Sequence, residues 1–192
     1  MKTCLVLEGG AMRGMYTAGA LDVFYNAGIQ FDGIIGVSAG AAFGVNYLSR
    51  QPGRVIRYNK RFNADHHYMG LIPLLKTGNI VDTEYAYEKV PRELDPFDGD
   101  TFDASGVPFW VVVTNLETGR PEYIRLEHSM EQMDAIRASA SMPFVSQPVN
   151  IDGKLYLDGG VADSVPFRAA VQLGFDRVAV ILTRDKSYVK KP

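Results

Sequence analysis

A five-residue segment, Gly-Val-Ser-Ala-Gly at positions 36–40, constrains the fold of this chain more than any other part of the sequence. The apolar residues 33–35 before it are typical of a buried strand, and residues 41–48 after it are typical of a helix. A serine on a sharp turn between a strand and a helix presents its hydroxyl clear of the backbone, where it can attack an acyl carbon. The segment therefore predicts an α/β fold with Ser38 as a nucleophile.

Strands and helices alternate along much of the chain, whose 192 residues suffice for one domain with a substantial core. The order strand, helix, strand, helix indicates a central parallel sheet with helices packed on its faces. A hairpin with an Asp-Gly turn at 152–153 adds antiparallel strands. The predicted strands are 3–8, 33–37, 108–114, 121–126, 148–151, 154–157 and 177–182, and the predicted helices are 12–27, 41–48, 54–62, 82–90, 131–139 and 166–173.

The segment 63–105 shows little of this regularity. Several prolines and glycines, among them Pro91, Pro96 and Gly99, interrupt it. Long irregular segments in compact domains often form lids or binding elements, and otherwise serve as surface connections. We therefore expect a single domain over 1–192 with a loop-rich insertion at 63–105 that is either a lid or a set of surface connections.

Charge and cysteine content argue against some classes of function. The formal net charge is −2, and no run of Lys or Arg resembles a surface that tracks nucleic-acid phosphates. The basic tail, Lys186 to Lys191, is expected to be a solvated end rather than a membrane contact. The single cysteine, Cys4, forms no internal disulfide, and the N-terminus lacks the pattern of a signal peptide. We expect no nucleic-acid partner and a cytoplasmic location.

A nucleophilic serine needs a base that accepts its proton. Of the three histidines, His128 could complete a Ser–His–Asp triad with Asp95 or Asp103 as its acid. Asp158 is a second candidate, because it ends a hairpin strand and precedes two glycines; a turn without catalytic function is the alternative there. A carboxylate has a reference pKa of about 3.9, so it would need burial and strong stabilisation of the oxyanion to act as a base.

The loop 8–14, Glu-Gly-Gly-Ala-Met-Arg-Gly, joins the first strand to the first helix. Its amides lie at a helix N-terminus, where N–H groups favour an anion, and Arg13 adds a positive charge. The loop is suited to the oxyanion of an acyl transfer or to the phosphates of a nucleotide. A non-catalytic nucleotide-binding module would use Asp32 for the ribose, but Ala11 breaks the G-x-G-x-x-G pattern at its middle glycine.

Taken in order, four segments resemble the patatin-like phospholipase family, and its bacterial members most of all. They are 9–14, 36–40, the run Ala-Ser-Ala-Ser-Met-Pro-Phe at 138–144, and Asp-Gly-Gly at 158–160. The resemblance spans about 3–182, and it implies a three-layer α/β/α sandwich with a mostly parallel central sheet. It also implies hydrolysis of the acyl esters of lipids, without a metal or other cofactor and with transient contact with a membrane surface.

The same resemblance implies which residues form the site. Ser38 would be the nucleophile and Asp158 the base of a Ser–Asp dyad that acts through an acyl-enzyme. The N–H groups of Gly10 and Ala11 would form the oxyanion hole. The residues that shape this hole or support the motifs would be Gly9, Arg13, Gly14, Gly36, Gly40, Gly159 and Gly160.

Two departures from the family's pattern lead to further expectations. Ala11 stands where many members have glycine, so the oxyanion hole should survive if the backbone at Ala11 needs no positive φ. The chain also stops soon after its last predicted strand, 177–182, whereas bacterial members often continue. We therefore expect a truncation that removes part of the substrate surface.

Overall fold

A seven-stranded sheet forms the centre of the fold in a computed structural model, which describes residues 1–185 and 187–189. Lys186, Lys190 and Lys191, part of the tail that we expected to be solvated, lie outside the described residues. Every predicted strand is present to within one residue at each end. The strands are β1 (Thr3–Leu7), β2 (Gly33–Val37), β3 (Phe109–Asn115), β4 (Pro121–Leu126), β5 (Val149–Ile151), β6 (Lys154–Asp158) and β7 (Arg177–Ile181).

Helices cover the sheet, and no helix within the described ranges is long and apolar enough to cross a bilayer. The predicted helix 12–27 begins as a 3-10 turn at Ala11–Arg13 before it becomes α-helical. A second 3-10 turn, Gly159–Val161, follows β6. The α-helices are α1 (Gly14–Asn26), α2 (Ala39–Leu48), α3 (Arg54–Phe62), α4 (Leu71–Thr77), α5 (Gly99–Asp103), α6 (Met133–Ser139) and α7 (Phe167–Gln172).

The sheet is parallel on one side and antiparallel on the other. β7, β1, β2 and β3 lie side by side in that order and pair in parallel. β4 and β6 pair antiparallel with β3, and β5 pairs antiparallel with β6. Five of the seven strands therefore run in one direction, which agrees with the expected mostly parallel sheet.

Two strands meet end to end along one edge of β3. β2 pairs with its first part, up to Val37 opposite Val112, and β6 pairs with its last part, beginning with Asp158 opposite Val113. β4 pairs with residues in both parts of β3, so it occupies the other edge. β2 and β6 thus approach each other from opposite directions and end at neighbouring positions, which brings the residue after Val37 close to Asp158.

Alternate side chains of the strands enter two helical layers, as the two-residue period of a strand requires. One face of the sheet packs against α1, α2, α5 and α6, and the other packs against α7. These layers make the predicted α/β/α sandwich. The buried strand residues on the first face include Leu5, Leu7, Ile34, Phe109, Val111 and Val113, and those on the second include Cys4, Val6, Ile35, Val37 and Val112.

The segment 63–105 is more helical than we expected. It contains α4, a wide π-helical segment at Tyr85–Leu94 and α5. The prolines do not prevent this, since Pro73 lies in α4 and Pro91 lies within the wide turns of the π-helical segment. Side chains from 68–97 pack over α2 and α3 and bury Tyr68 and Val90 beside them. This packing stabilises short helices whose sequence signals are weak, so the segment contains more helix than a loop-rich insertion would.

Candidate active site

Ser38 lies on a strained turn between β2 and α2. Its φ is 54° and its ψ is −122°, a conformation that costs a non-glycine residue about 1–3 kcal/mol. The turn requires two glycines for close packing. A Cβ at Gly36 would lie 2.6 Å from the Cα of Ala41, and a Cβ at Gly40 would lie 2.4 Å from the carbonyl oxygen of Leu7. Both predicted supporting glycines therefore stand where a side chain does not fit.

The hydroxyl of Ser38 donates a hydrogen bond of 2.7 Å to Oδ2 of Asp158. The other carboxylate oxygen, Oδ1, accepts the N–H of Gly160 at 2.7 Å. The backbone around Asp158 is fixed as well: its N–H donates to the carbonyl of Ser141, and its carbonyl accepts the hydroxyl of Thr114. Asp158 therefore holds its carboxylate in one orientation toward Ser38.

Burial changes the acidity of this pair. Ser38 is 7% exposed and Asp158 is 6% exposed. Removal from water raises the pKa of Asp158, and the hydrogen bonds from Ser38 and Gly160 lower it in part. A higher pKa makes the carboxylate a better acceptor for a proton from Ser38 than an exposed aspartate is.

The glycine loop passes directly beside Ser38. A Cβ at Gly9 would lie 3.0 Å from Cβ of Ser38, so glycine allows the loop to pass close to Ser38. A Cβ at Gly159 would lie 2.1 Å from the carbonyl oxygen of Val112, so glycine also allows the turn after β6 to pack against β3. Within the described chain, the N–H groups of Gly10 and Ala11 donate to no protein acceptor. They are free to bind an oxyanion that forms next to Ser38.

The backbone at Ala11 has a positive φ, contrary to the condition under which we expected the oxyanion hole to survive. Its φ is 47°, in the left-handed region that favours glycine. The loop turns sharply here into the 3-10 turn Ala11–Arg13, in which the N–H of Arg13 donates to the carbonyl of Gly10. Alanine thus occupies a backbone conformation for which glycine is better suited, and its N–H still faces no internal acceptor.

The remaining residues of the loop have different environments. Arg13 is exposed and lines an open cleft. Gly14 begins α1 where a Cβ would lie 2.8 Å from Cβ of Ala39, so it allows α1 to pack on α2. Glu8 accepts hydrogen bonds from the N–H and hydroxyl of Thr183, and so joins the loop to the chain after β7.

Ser139 is a site residue that the sequence did not reveal. Its hydroxyl oxygen accepts the N–H of Ser38 at 2.8 Å and donates to the carbonyl of Val112 at 2.6 Å. This bridge fixes the backbone of the turn from the side of α6. The run 138–144 was noted for its resemblance to the family, but its sequence did not show which of its two serines would point at Ser38.

Two cavities meet at Ser38. The first has a volume of about 220 Å³, lies between α2, α3 and the π-helical segment, and has mainly apolar walls. The second is an open cleft of about 840 Å³ lined by charged groups that include Arg13, Asp158 and Arg184. Ser38 lies between an apolar interior and a polar exterior, an arrangement that suits an ester with an apolar acyl chain and a polar alcohol part.

The residues of the alternative triad do not come together at Ser38, and Asp32 of the alternative nucleotide site does not lie at the glycine loop. His128 lies 3.6 Å from Asp103, and its side chain is 69% exposed. Asp95 is buried and pairs with arginines of α3. No histidine of the described residues lines either cavity at Ser38. Asp32 accepts the N–H of Thr3 and so lies at the opposite end of β1 from the glycine loop, too far away to share a nucleotide with it.

Comparison with known proteins relates most of the chain to one family. Residues 5–171 match the family described as Patatin-like phospholipase. YjjU of Escherichia coli (strain K12) is 32% identical over 188 residues, which cover 95% of this chain and 52% of that protein. The lysophospholipase nte1 of Aspergillus fumigatus is 29% identical over 180 residues, which cover 92% of this chain and 12% of that protein. The chain thus spans about half the length of the first relative and a smaller part of the second.

A solved structure shares the fold. VipD from Legionella pneumophila matches with a TM-score of 0.52 and 16% sequence identity, over 93% of this chain and 49% of that chain. The shared architecture agrees with the predicted three-layer sandwich. Because the family match and the similarity to YjjU extend over most of its length, the chain belongs to the patatin-like phospholipase family.

Proposed function

We propose that this chain is a serine hydrolase that cleaves the carboxylic esters of lipids. Oγ of Ser38 attacks the ester carbonyl carbon while its proton passes to Asp158, and the N–H groups of Gly10 and Ala11 hold the oxyanion. The intermediate then collapses to an acyl-enzyme, and the departing alcohol takes the proton from Asp158. Water attacks the acyl-enzyme and gives a proton to Asp158, which returns it to Ser38 as the fatty acid leaves.

The hydrogen bond of 2.7 Å between Ser38 and Asp158 carries this proposal. It joins a strained serine to a buried carboxylate whose pKa burial raises. The family description and the name lysophospholipase, given to a relative, support a lipid ester as the substrate. The apolar cavity would take the acyl chain, and the polar cleft would take the headgroup.

A fluorophosphonate probe, which reacts covalently with activated serines, tests the nucleophile. The wild-type chain should be labelled, and Ser38→Ala should not be. Ser164→Ala is the matched control, because Ser164 lines the same open cleft without facing Asp158, and this variant should be labelled like the wild type. Equal labelling of Ser38→Ala would refute the assignment.

A second comparison separates the dyad from a triad. Asp158→Asn should lower kcat for a soluble ester by about 10²–10⁴-fold, the range typical of a lost general base. His128→Ala should retain activity within a few-fold, because His128 is exposed and pairs with Asp103. If His128→Ala remained folded and lost activity to the same extent, the proposed dyad would be replaced by a triad.

A lipid surface is the partner that we propose for the exposed side of α4. Leu71, Ile72 and Leu75 are 73%, 47% and 86% exposed, and Phe144 is fully exposed. α4 is linked to the chain around Phe144, since the N–H of Ile80 donates to the carbonyl of Val145. Residues 70–81 contain a single charged residue, a lysine, and no carboxylate. An apolar surface of this kind next to the acyl cavity suits transfer of a lipid from a bilayer.

A further inference from the structure

The apolar cavity extends along α2 away from Ser38. Residues of successive turns of this helix line it, from Ser38 through Phe43 to Val45. Arg54 lines the far end, and its Nη1 donates a hydrogen bond of 2.8 Å to Asn46, which lies just behind the cavity wall. Eight residues separate Ser38 from Asn46, so at about 1.5 Å per residue this end lies about 12 Å from the nucleophile.

Arg54 brings a charge into this end of the cavity. Its side chain is 4% exposed and lies between the rings of Tyr58 and Phe97, at 5.3 and 5.5 Å from their centroids. It is the one charged residue among the described residues that line the cavity. Three of its five N–H groups have acceptors, in Asn46 and in the backbone of 95–96, which leaves two N–H groups free.

The charge of Arg54 is only partly balanced. Asp95 lies 3.4 Å from Nε of Arg54, but its carboxylate makes a bidentate pair with Arg57 at 2.9 and 2.7 Å. One carboxylate thus serves two guanidinium groups, and it lies behind Arg54 rather than in the cavity wall. Burial lowers the pKa of Arg54, and the nearby Tyr58 and Asp95 raise it in part. A second anion near Arg54 would neutralise the positive charge that Asp95 leaves uncompensated in this pair of arginines.

Tyrosine hydroxyls add to this polar end. Tyr58 and Tyr68 are each 8% exposed, and both line the cavity. Burial raises the pKa of Tyr58, and it raises the pKa of Tyr68 to about 12, so both remain neutral donors. Within the described chain, the hydroxyl of Tyr68 has no hydrogen-bond partner in the protein. This hydroxyl is not fully enclosed by protein atoms, so it is free to donate to a ligand that enters the cavity.

The dimensions set the length of the chain that would reach this end. An apolar cavity of about 150 Å³ holds benzene, with six carbons, so the 220 Å³ here would hold roughly nine carbons. An extended chain advances about 1.2 Å per bond, so about ten bonds span the distance of about 12 Å from Ser38 to Asn46. Both measures give an acyl chain of about nine or ten carbons whose last atoms contact Arg54 and Tyr68.

We propose that this site prefers acyl chains of about nine carbons that end in a carboxylate, bound at their far end by Arg54 and Tyr68. This inference rests on the proposed function, because Ser38 must first be the nucleophile. The acyl group of such a substrate carries an anion to the remaining N–H groups of Arg54 and the hydroxyl of Tyr68, whereas an unsubstituted chain of the same length brings them no acceptor. A preference of this kind separates substrates by a group remote from the reacting bond.

A matched pair of soluble esters tests the preference. The mono-p-nitrophenyl ester of nonanedioic acid and p-nitrophenyl nonanoate have the same length and leaving group and differ at the far end of the chain. At pH 7.5 the wild type should have the higher kcat/KM for the diacid ester. A hydrogen bond to a charged group is typically worth about 1.5–3 kcal/mol, so Tyr68→Phe should lower the ratio of the two values by about ten-fold or more.

Two further variants complete the test. Arg54→Met should reverse the preference in favour of nonanoate, and if this variant does not fold, Tyr68→Phe alone decides the outcome. Tyr16→Phe is the control, because Tyr16 is 69% exposed on α1, and it should keep the wild-type ratio. A wild type that prefers nonanoate, or a ratio that Tyr68→Phe leaves unchanged, overturns this inference. If Ser38→Ala hydrolyses both esters like the wild type, the proposed function fails instead.

Discussion

At the scale of single residues, Ser38 and Asp158 both lower the stability of the folded state, and the rest of the fold must offset this loss of free energy. Ser38 holds a strained backbone, and Asp158 keeps a carboxylate at 6% exposure without a basic side chain bonded to it. The carboxylate receives one hydroxyl and one amide instead. Such costs are typical of residues selected for reactivity rather than for stability.

Asp158→Asn should therefore raise stability while it lowers activity. Burial raises the pKa of Asp158 in the folded state above its ordinary value, so the ionised form destabilises the fold above the folded pKa. This destabilisation disappears as the pH falls below the unfolded value. At pH 7 the Asp158→Asn variant should unfold at a higher temperature than the wild type, by about 2–4 °C for each kcal/mol gained in the free energy of unfolding. This difference in unfolding temperature should shrink toward pH 3.5. An Asn variant that is less stable at pH 7 would contradict this expectation.

Ala11 offers a second test at the same scale. Because its φ is 47°, Ala11→Gly should be tolerated, whereas the branched side chain of Ala11→Val is poorly compatible with that conformation and should shift the neighbouring amides. Loss of one oxyanion donor costs about 10²–10³-fold in kcat. We expect Ala11→Gly to keep kcat for a soluble ester within a few-fold of the wild type, and Ala11→Val to lower it by at least ten-fold. Equal activity of the two variants would show that the Ala11 amide does not contact the oxyanion.

At the scale of elements, the site depends on where strands end. β2 and β6 share an edge of β3, and both end at neighbouring positions along it. Ser38, just past the end of β2, faces Asp158, the last residue of β6, although 120 positions separate them in the chain. α2 then passes close enough to β1 that Gly40 has no room for a side chain.

Gly40→Ala and Gly19→Ala should have opposite effects on stability. At Gly40 the new Cβ would lie 2.4 Å from the rigid carbonyl oxygen of Leu7, so we expect a loss of about 1–3 kcal/mol in the free energy of unfolding. At Gly19, inside α1, nothing lies within 4 Å of the new Cβ, so we expect a gain of about 0.5–1 kcal/mol. Denaturant unfolding measures both. Similar changes in the two variants would mean that the packing at Gly40 can relax.

At the scale of the whole molecule, the exposed apolar side chains of α4 and Phe144 lie on the same side of the sheet as the acyl cavity. The residues at 80–81 and Met142, next to these side chains in sequence, line that cavity. α7 covers the opposite face of the sheet. The surface that we propose for contact with lipid therefore lies on one side of the molecule.

Phe144→Asp and Leu75→Asp should weaken binding to vesicles of phosphatidylcholine and phosphatidylglycerol. Each removes a side chain whose burial is worth about 1.5–3 kcal/mol, so the affinity in a sedimentation assay should fall by about ten-fold or more. Val171→Asp is the control, because it adds the same charge at an exposed position on α7. Hydrolysis of soluble p-nitrophenyl butyrate should not change in any of the three. Vesicle binding that persists in both variants would exclude this surface as the contact.

The sequence by itself determined the strands, most helices and the members of the candidate pair. Strand positions could be predicted because apolar runs bounded by glycine and proline are local signals. Ser38 and Asp158 could be singled out because each lies in a short motif at a strand end. Within 63–105, the helix predicted at 82–90 lies where the π-helical segment is found, whereas α4 and α5 could not be predicted, because helices this short depend on tertiary packing rather than on signals in their own residues.

Only the tertiary structure decided the distances. In the folded chain, Oγ of Ser38 lies 2.7 Å from Oδ2 of Asp158, and the hydroxyl of Ser139 accepts the N–H of Ser38. His128 and Asp32 lie away from this pair and hydrogen-bond or pair with other residues. The physical reason is that these contacts depend on which strands share an edge of β3, and pairing of strands distant in the chain leaves no local mark in the sequence. The same holds for the acyl cavity, whose polar end exists because α3 packs Arg54 against α2.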